Sequence, residues 1–423
     1  MDKRLLERIL SDQQEELELK KELHFCKRKE EDLIDLDSPQ AQVVIGVRRS
    51  GKSTLCFNAL TRKELKFAYV NFDDERLAKL TSDDLNDVLE VLYKINGEFQ
   101  YLFIDEIQNI PEWYLFVNRL LRRQMHIVIT GSNAKLLSGE LATHLTGRHN
   151  SIALYPFSFE EYCVIKKIDI RSLSTKAIAA RRALFDEYLQ QGGFPELLII
   201  KDHRKYINEL VGNILKRDIE QRFKILHEAT FENLANHMLN IVPTIVADNS
   251  LNEIFDIKSA HTVKNYLSYI KQAYLLVGLQ KYSPKSKLRQ SGEKLYPIDV
   301  ALMNKRDNAL SGDNLGWRLE TIVYIELLRR YKPEGKDIYY YADRSGECDF
   351  IVCDNRKAIL AVQVSYDISS PKTRKREIAG LLLAARKTKC SDLLLLTDHD
   401  YEDITQDGYD ISVRPVYEYV LHN

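Results

Sequence analysis

Short apolar runs that end in polar turns recur through the first third of the chain, with helical stripes between them. Val43-Val44-Ile45 is the first run. It passes into Gly46-Val47-Arg48-Arg49-Ser50-Gly51-Lys52-Ser53-Thr54, and Leu55 to Leu60 then predicts a helix. Phe67 to Phe72 has the aromatic and β-branched content of a second strand, and a helix follows from Ser82 to Tyr93. Tyr101-Leu102-Phe103-Ile104 stays apolar until Asp105-Glu106, as in a strand covered on both faces. Ile127 to Thr130 and Ser151 to Leu154 predict two more strands. Strands alternating with helices predict a parallel α/β sheet.

Before that sheet, residues 1–36 read as a charged helix with Leu5, Leu6, Ile9 and Leu10 as its apolar stripe. The Glu/Lys-rich run from Glu15 to Glu31 reads as a solvated face. Beyond the sheet, Phe159 to His237 is helix-rich, with a break at Gln191-Gly192-Gly193-Phe194-Pro195-Glu196. Two helices, a strand, a turn and the strand Lys294 to Asp299 then have the order of a winged helix-turn-helix, with Thr262, Lys264 and Asn265 on its recognition helix. Trp317 to Arg330 is an amphipathic helix. A hairpin (Ile338–Tyr341, Cys348–Val352), a strand from Ala358, a basic helix from Thr373 and the strand Leu393–Leu396 complete the pattern. At 423 residues the chain exceeds a single core. The predicted divisions are 1–36, 37–165, 166–240, 241–303 and 304–423.

Net charge is -1, so no global pull toward nucleic acid or anionic lipid exists and basic surface must be local. Between Lys258 and Lys294 the only acid is Glu293, which suits DNA contact through residues 258–294 or a protein interface. The six cysteines lack metal spacing and read as buried thiols in a reducing compartment. No apolar run approaches the ~18 residues of a spanning helix, and Met1 leads into charged residues rather than a signal-peptide core, so a cytoplasmic location is expected.

The G-x-x-x-x-G-K-S loop carries the chemistry. Its backbone N–H groups and the following helix terminus form a nest for phosphate, Lys52 would reach the β- and γ-phosphates of ATP, and the Ser53 hydroxyl would ligate Mg²⁺. At the end of the third strand, Asp105 can complete the Mg²⁺ shell, and Glu106 can orient or deprotonate water. Asn133 could sense the γ-phosphate, while Ser132 or Asn133 would equally suit a helix N-cap. Arg148 could neutralise transition-state charge, in cis or from a neighbouring subunit, or lie idle on the surface.

G-V-R-R-S-G-K-S, N-F-D-D-E-R, L-F-I-D-E-I-Q, I-T-G-S-N, L-T-G-R and L-Y-P-F-S-F-E-E-Y occur in that order. Together they resemble the prokaryotic family of AAA-type ATPases related to the signal-transduction ATPases with numerous domains. The resemblance implies a core with an additional strand and a catalytic glutamate, Glu106. It also implies Asn133 as sensor, Arg148 as arginine finger, a helical lid, and a C-terminal domain of restriction-endonuclease-like pattern.

That nuclease pattern asks for an Asp, then an acid and a lysine two apart on the next strand. Asp349 is present, and Glu320 lies on the preceding helix, but the second element reads Gln363-Val364-Ser365. Glu320, Asp349 and Gln363 therefore read as a vestigial site, with Lys372 or Lys375 as substitute ammonium groups. The function expected is an ATP-binding and ATP-hydrolysing switch coupled to a winged helix and a nuclease-like domain. The alternatives are an ATP-regulated metal-dependent DNA nuclease or a non-hydrolysing scaffold. A protein partner on the C-terminal domain and an oligomer are further expectations.

Overall fold

The computed structural model describes all residues except 22–24, 133–144, 146, 247, 258, 284–291, 305, 308, 310–313 and 422–423. Two compact units divide the chain. One is Met1–Leu154 with Gln272–Tyr274, and the other is Tyr155–Lys271 with Leu275–Asn423.

The first unit contains helix α1 (Lys3–Lys21), then strand β1 (Ala41–Ile45), α2 (Lys52–Arg62), β2 (Phe67–Asn71) and α3 (Leu85–Asn96). It continues with β3 (Tyr101–Asp105), α4 (Trp113–Arg122), β4 (His126–Gly131) and β5 (His149–Ala153). All five strands are parallel, in the order β2-β3-β4-β1-β5. The additional strand implied by the resemblance is β4, between β1 and the acidic strand β3. Alternation within β1 feeds two cores: Val43 and Ile45 join Val70, Leu102, Ile104 and Ile129, while Val44 joins Leu55, Phe103 and Val128 on the other face.

The charged N-terminal segment belongs to this unit. Leu6, Ile9 and Leu10 enter the first core and Leu17 the second, each such side chain contributing roughly 1.5–3 kcal/mol of burial. Gln13 pairs with the backbone of edge strand β2, accepting from Asn71 N at 2.9 Å and donating to Asn71 O at 3.0 Å. It thus blunts an edge that would otherwise be open. The solvated-face reading of Glu15–Glu31 fails at its end. Arg28, Glu30 and Glu31 are buried around the short helix Lys29–Leu33, because their charges are paired and capped there.

The second unit opens with α5 (Phe159–Ile165), α6 (Thr175–Gln191), α7 (His203–Asn213) and α8 (Glu228–Ile241). Ser158 and Glu161 form a capping box on α5, and Ser174 caps α6. The predicted break after α6 is a packing site. Gly193 N donates to buried Asp299 at 2.8 Å, and a Cβ on Gly193 would collide with the Phe157 carbonyl. Arg306 binds Asn236 at 3.0 Å and Asn240 at 2.6 Å. These bonds place the residues expected as a lid, 166–240, in the C-terminal unit.

Next come β6 (Thr244–Ile245), α9 (Asp248–Ile254), α10 (Ala260–Gln272), β7 (Leu276–Lys281) and β8 (Lys294–Pro297). Then follow α11 (Leu315–Tyr331), β9 (Asp337–Asp343), β10 (Gly346–Asp354), β11 (Lys357–Val364), α12 (Pro371–Thr388), β12 (Leu393–Thr397), β13 (Glu402–Gln406) and β14 (Tyr409–Pro415). One nine-stranded sheet holds all of these strands, in the order β13-β14-β12-β11-β10-β9-β7-β8-β6. The predicted boundary at residue 303 therefore cuts through a continuous sheet: β7 pairs in parallel with β9, Gln280 opposite Tyr339. α12 covers the face that carries Ile351. α11 covers the face that carries Phe350, whose ring stacks on Tyr324 at 5.6 Å.

Candidate functional site

β1 delivers the loop at 46–53 to the C-terminal edge of the parallel sheet, where open α/β sheets bind ligands. Gly46 is required by close approach, since a Cβ there would collide with the Leu154 carbonyl oxygen. Gly51 opens α2 at φ +93°, and Arg49 adopts φ +65°. Ser50 N donates to Val47 O at 3.2 Å, and the Lys52 ammonium donates to the same carbonyl at 3.1 Å. Arg48 pairs with Asp73 at 3.1 Å. Ser50 Oγ is buried without a hydrogen-bond partner among the described residues. Val47 is buried and Thr54 half-buried in the cradle.

The acids of β3 stand beside this loop. Ser53 Oγ donates to Asp105 Oδ1 at 3.0 Å, Tyr69 OH donates to Asp105 Oδ2 at 3.3 Å, and Thr130 Oγ1 also donates to Asp105. Burial, reinforced by the neighbouring Glu106 charge, raises the Asp105 carboxyl above its usual range. Glu106 sits at φ +52°. Its carboxylate accepts from Ser132 N at 3.3 Å, from Ser132 Oγ at 3.1 Å, and from Gln108. Ser132 is thus a partner of Glu106, and Asn133 lies outside the described residues.

These residues fit a magnesium nucleotide: a lysine, a hydroxyl and two carboxylates converge on a glycine loop that leaves a buried hydroxyl unpartnered. The sequence reading did not anticipate Tyr69, Thr130 and Gln108 here. It also missed Arg28, whose buried guanidinium donates to Ser50 O at 3.0 Å and so braces the loop from outside.

Arg148 is elsewhere. It precedes β5, its carbonyl accepts from Ala41 N, and Ala41 pairs with His149 while Ile45 pairs with Ala153. That register puts exposed Arg148 at the edge opposite the loop, level with residue 40 of the β1 ladder and so about 20 Å from Gly46 at ~3.3 Å per residue. The arginine does not reach the loop of its own chain, which removes the cis reading.

A second polar cluster lies in the C-terminal unit. A register shift in β10 between Cys348 and Ile351 re-aims Asp349, whose Oδ2 accepts from Val364 N at 2.9 Å. Asp349 N donates to Gln363 Oε1 at 3.2 Å, and Gln363 Nε2 to Glu377 at 2.7 Å. The ammonium here is Lys294, from β8. It stands 2.8 Å from Glu320, 2.9 Å from Glu347 and 3.4 Å from Asp349, and Tyr296 OH donates to Glu320 at 2.6 Å. Burial pulls Lys294 down, but the three carboxylates outweigh it and hold the ammonium above its usual range. Burial and Glu320 push Asp349 up to about 8.

Glu320, Asp349 and Gln363 therefore converge as expected, while the predicted substitutes Lys372 and Lys375 do not supply the ammonium. The cluster does not fit a divalent metal. An ammonium occupies its centre, the Gln363 amide is committed to protein partners, and no metal-holding group of three His, Cys, Asp or Glu residues occurs among the described residues.

Two cations of the basic stretch expected to meet DNA are committed inside the protein. Lys294 is buried, Lys271 is paired with Glu293 at 2.6 Å, and Lys258, Lys285, Lys287 and Arg289 lie outside the described residues.

Residues 38–163 match the family model of an AAA domain. Residues 182–313 and 315–416 match two domains of unknown function, DUF8612 and DUF4143. Among solved structures, the Walker-type ATPase PABY2304 of Pyrococcus abyssi is similar over 66% of this chain and 95% of its own, at 14% identity and a TM-score of 0.44. The Thermotoga maritima RuvB Holliday junction branch migration motor is similar over 58% of this chain and 82% of its own, at 16% identity and a TM-score of 0.27. An uncharacterized protein of Haemophilus influenzae is 32% identical over 89% of this chain and 93% of its own length. The uncharacterized protein MJ1544 of Methanocaldococcus jannaschii is 32% identical over 100% of this chain and 96% of its own length. No helix among the described residues is long and apolar enough to cross a membrane. With its AAA domain at 38–163, the chain belongs to the family of MJ1544.

Proposed function

We propose that this chain binds Mg-ATP between residues 46–53 and the acids at 105–106, hydrolyses it, and uses the nucleotide state to control its C-terminal unit. The observation that carries this reading is the 3.0 Å bond from Ser53 to Asp105 beside Glu106 and Lys52. Those two elements are 52 residues apart in the chain. Ser53 and Asp105 would hold the Mg²⁺, which supplies charge neutralisation at the phosphates. Lys52 exchanges its Val47 carbonyl for phosphate oxygens. Glu106, steadied by Ser132 and Gln108, orients water and takes its proton. Asn133 serves as γ-phosphate sensor. Arg148, too far to serve its own loop, acts on the nucleotide of a second copy, so turnover requires an oligomer.

The C-terminal sheet, with α11 and α12 on opposite faces, supports a restriction-endonuclease-like scaffold. Gln363 and the Lys294 ammonium argue against metal-dependent nuclease chemistry on it. That scaffold is then a binding surface, for a protein partner or nucleic acid, with α9, α10 and the β7–β8 hairpin as the winged-helix portion.

Phosphate release measured on the full chain with Mg-ATP, with and without DNA, tests the reading. Lys52→Ala should abolish nucleotide binding. Glu106→Gln should bind ATP normally but turn it over roughly 10²–10⁴-fold more slowly. Turnover unchanged in both variants refutes the site. Tight ATP binding without phosphate release in the wild type would leave a nucleotide-dependent scaffold.

A further inference from the structure

The Lys294 cluster is the floor of a pocket of about 810 Å³ in the C-terminal unit, within the size range of ligand sites. Its walls have features that the cluster does not explain. Trp317, one turn before Glu320 on α11, is 40% exposed on the pocket wall. Across from the acids, the first two turns of α12 contribute Lys372 and Lys375, both exposed and with no ion pair or hydrogen bond among the described residues. Arg376 and Glu377 also line the wall and pair with each other, and Tyr366 adds a second aromatic ring.

Charge decides what such a pocket tolerates. The lining acids are Glu320, Glu347, Asp349 and Glu377. The first three are met from inside by the Lys294 ammonium, and Glu377 by Arg376 and Gln363. The protein's own lysine thus does at the floor what a metal ion would otherwise do. The positive charge without an internal partner among the described residues is on exposed Lys372 and Lys375, which line the same pocket as the 40% exposed Trp317. Rim cations next to an exposed aromatic ring are how proteins hold a single strand: ammonium groups follow the phosphates, and a base stacks on the ring. A duplex hides its base faces, so an indole can engage only an unpaired base.

We infer that this pocket is a metal-independent binding site for single-stranded nucleic acid, with Trp317 as the stacking platform, Lys372 and Lys375 as the phosphate contacts, and Lys294 as the built-in cation of its floor. All of its residues belong to the C-terminal unit, and its occupancy does not require hydrolysis.

The test is fluorescence anisotropy of a labelled oligothymidylate titrated with the full chain in EDTA and without ATP, over a series of salt concentrations. A matching duplex and unlabelled heparin are the comparisons. The wild type should bind the single strand more tightly than the duplex. Trp317→Ala should weaken binding by roughly tenfold or more, with Trp317→Phe recovering much of it. Each of Lys372→Ala and Lys375→Ala should lower the slope of log affinity against log salt by roughly 0.7. Mg-ATP turnover of these variants, measured in parallel, reports that the chain is folded. The inference is overturned by any of four results: no binding by the wild type, equal binding of duplex and single strand, loss of binding in EDTA, or indifference to the three alanine substitutions. Competition by heparin that is insensitive to Trp317 likewise overturns it in favour of a general polyanion or acidic-protein surface.

Discussion

Replacing Lys294 with methionine isolates the energetics of the C-terminal cluster, because methionine keeps most of the side-chain volume and deletes only the charge. The ammonium is 2.8 Å from Glu320, 2.9 Å from Glu347 and 3.4 Å from Asp349, and its side chain is only 8% exposed. Its removal leaves the buried Asp349 and the largely buried Glu320 facing each other without a counter-ion, with the more exposed Glu347 beside them. Breaking a buried pair in this way costs about 3–5 kcal/mol. With a urea m-value of about 2–3 kcal/mol per M, the unfolding midpoint should fall by about 1–2.5 M at neutral pH.

The chain has two tryptophans, Trp113 in the first unit and Trp317 in the second, so a Trp113→Phe background makes indole fluorescence report on the second unit. The dependence on pH has a definite sign. In the variant Asp349 loses the ammonium that pulls it down, so its folded pKa stands further above its unfolded one. The folded state therefore binds more protons, and stability rises as pH falls from about 8 toward 5. The gap between variant and parent should shrink accordingly. In the parent, Asp349 at about 8 gives the same sign. The Lys294 ammonium, held above its unfolded value, contributes stability that is complete below pH ~10.5 and lost only above it. A loss under about 1 kcal/mol at neutral pH, or a loss that grows on acidification, would refute the reasoning.

Arg28→Ala removes the bond that braces Ser50 O and leaves Glu30 and Glu31 buried with less positive charge around them. ADP affinity, measured by isothermal titration, should fall by roughly tenfold, as for one hydrogen bond to a charged group. Unchanged affinity would make the residue a packing element only. Arg148→Ala should lose turnover yet keep ATP binding. Mixing it with Lys52→Ala should restore part of the activity, since each copy then lacks a different half of a shared site. No recovery in the mixture would remove the trans assignment.

The legible part of this protein was its local chemistry. A glycine loop at the end of Val43–Ile45, a strand that turns acidic at Asp105-Glu106, and alternating strands and helices are each set by neighbours within a few residues, so the chain announces them directly. The two C-terminal strands β13 and β14 escaped notice. β13 is a polar edge strand, and the local sign of the hairpin was Asp407-Gly408 between alternating residues.

Strand register and long-range pairing required the folded chain. The P-loop end of β1 and the Arg148 end of β5 are opposite ends of one parallel ladder, and only hydrogen-bond register reveals that. Lys294 reads locally as one cation in a basic stretch. Its meaning comes from Glu320 on α11 and from Glu347 and Asp349 on β10, 53 and 55 residues away in the last two cases. Arg28 likewise reads as part of a solvated run until it meets Ser50, 22 residues on. The sequence determined which groups could bind a nucleotide, because backbone propensity and turn chemistry act over short distances. Tertiary structure decided which charges neutralise one another, because Coulomb energy and desolvation depend on distance through space rather than along the chain.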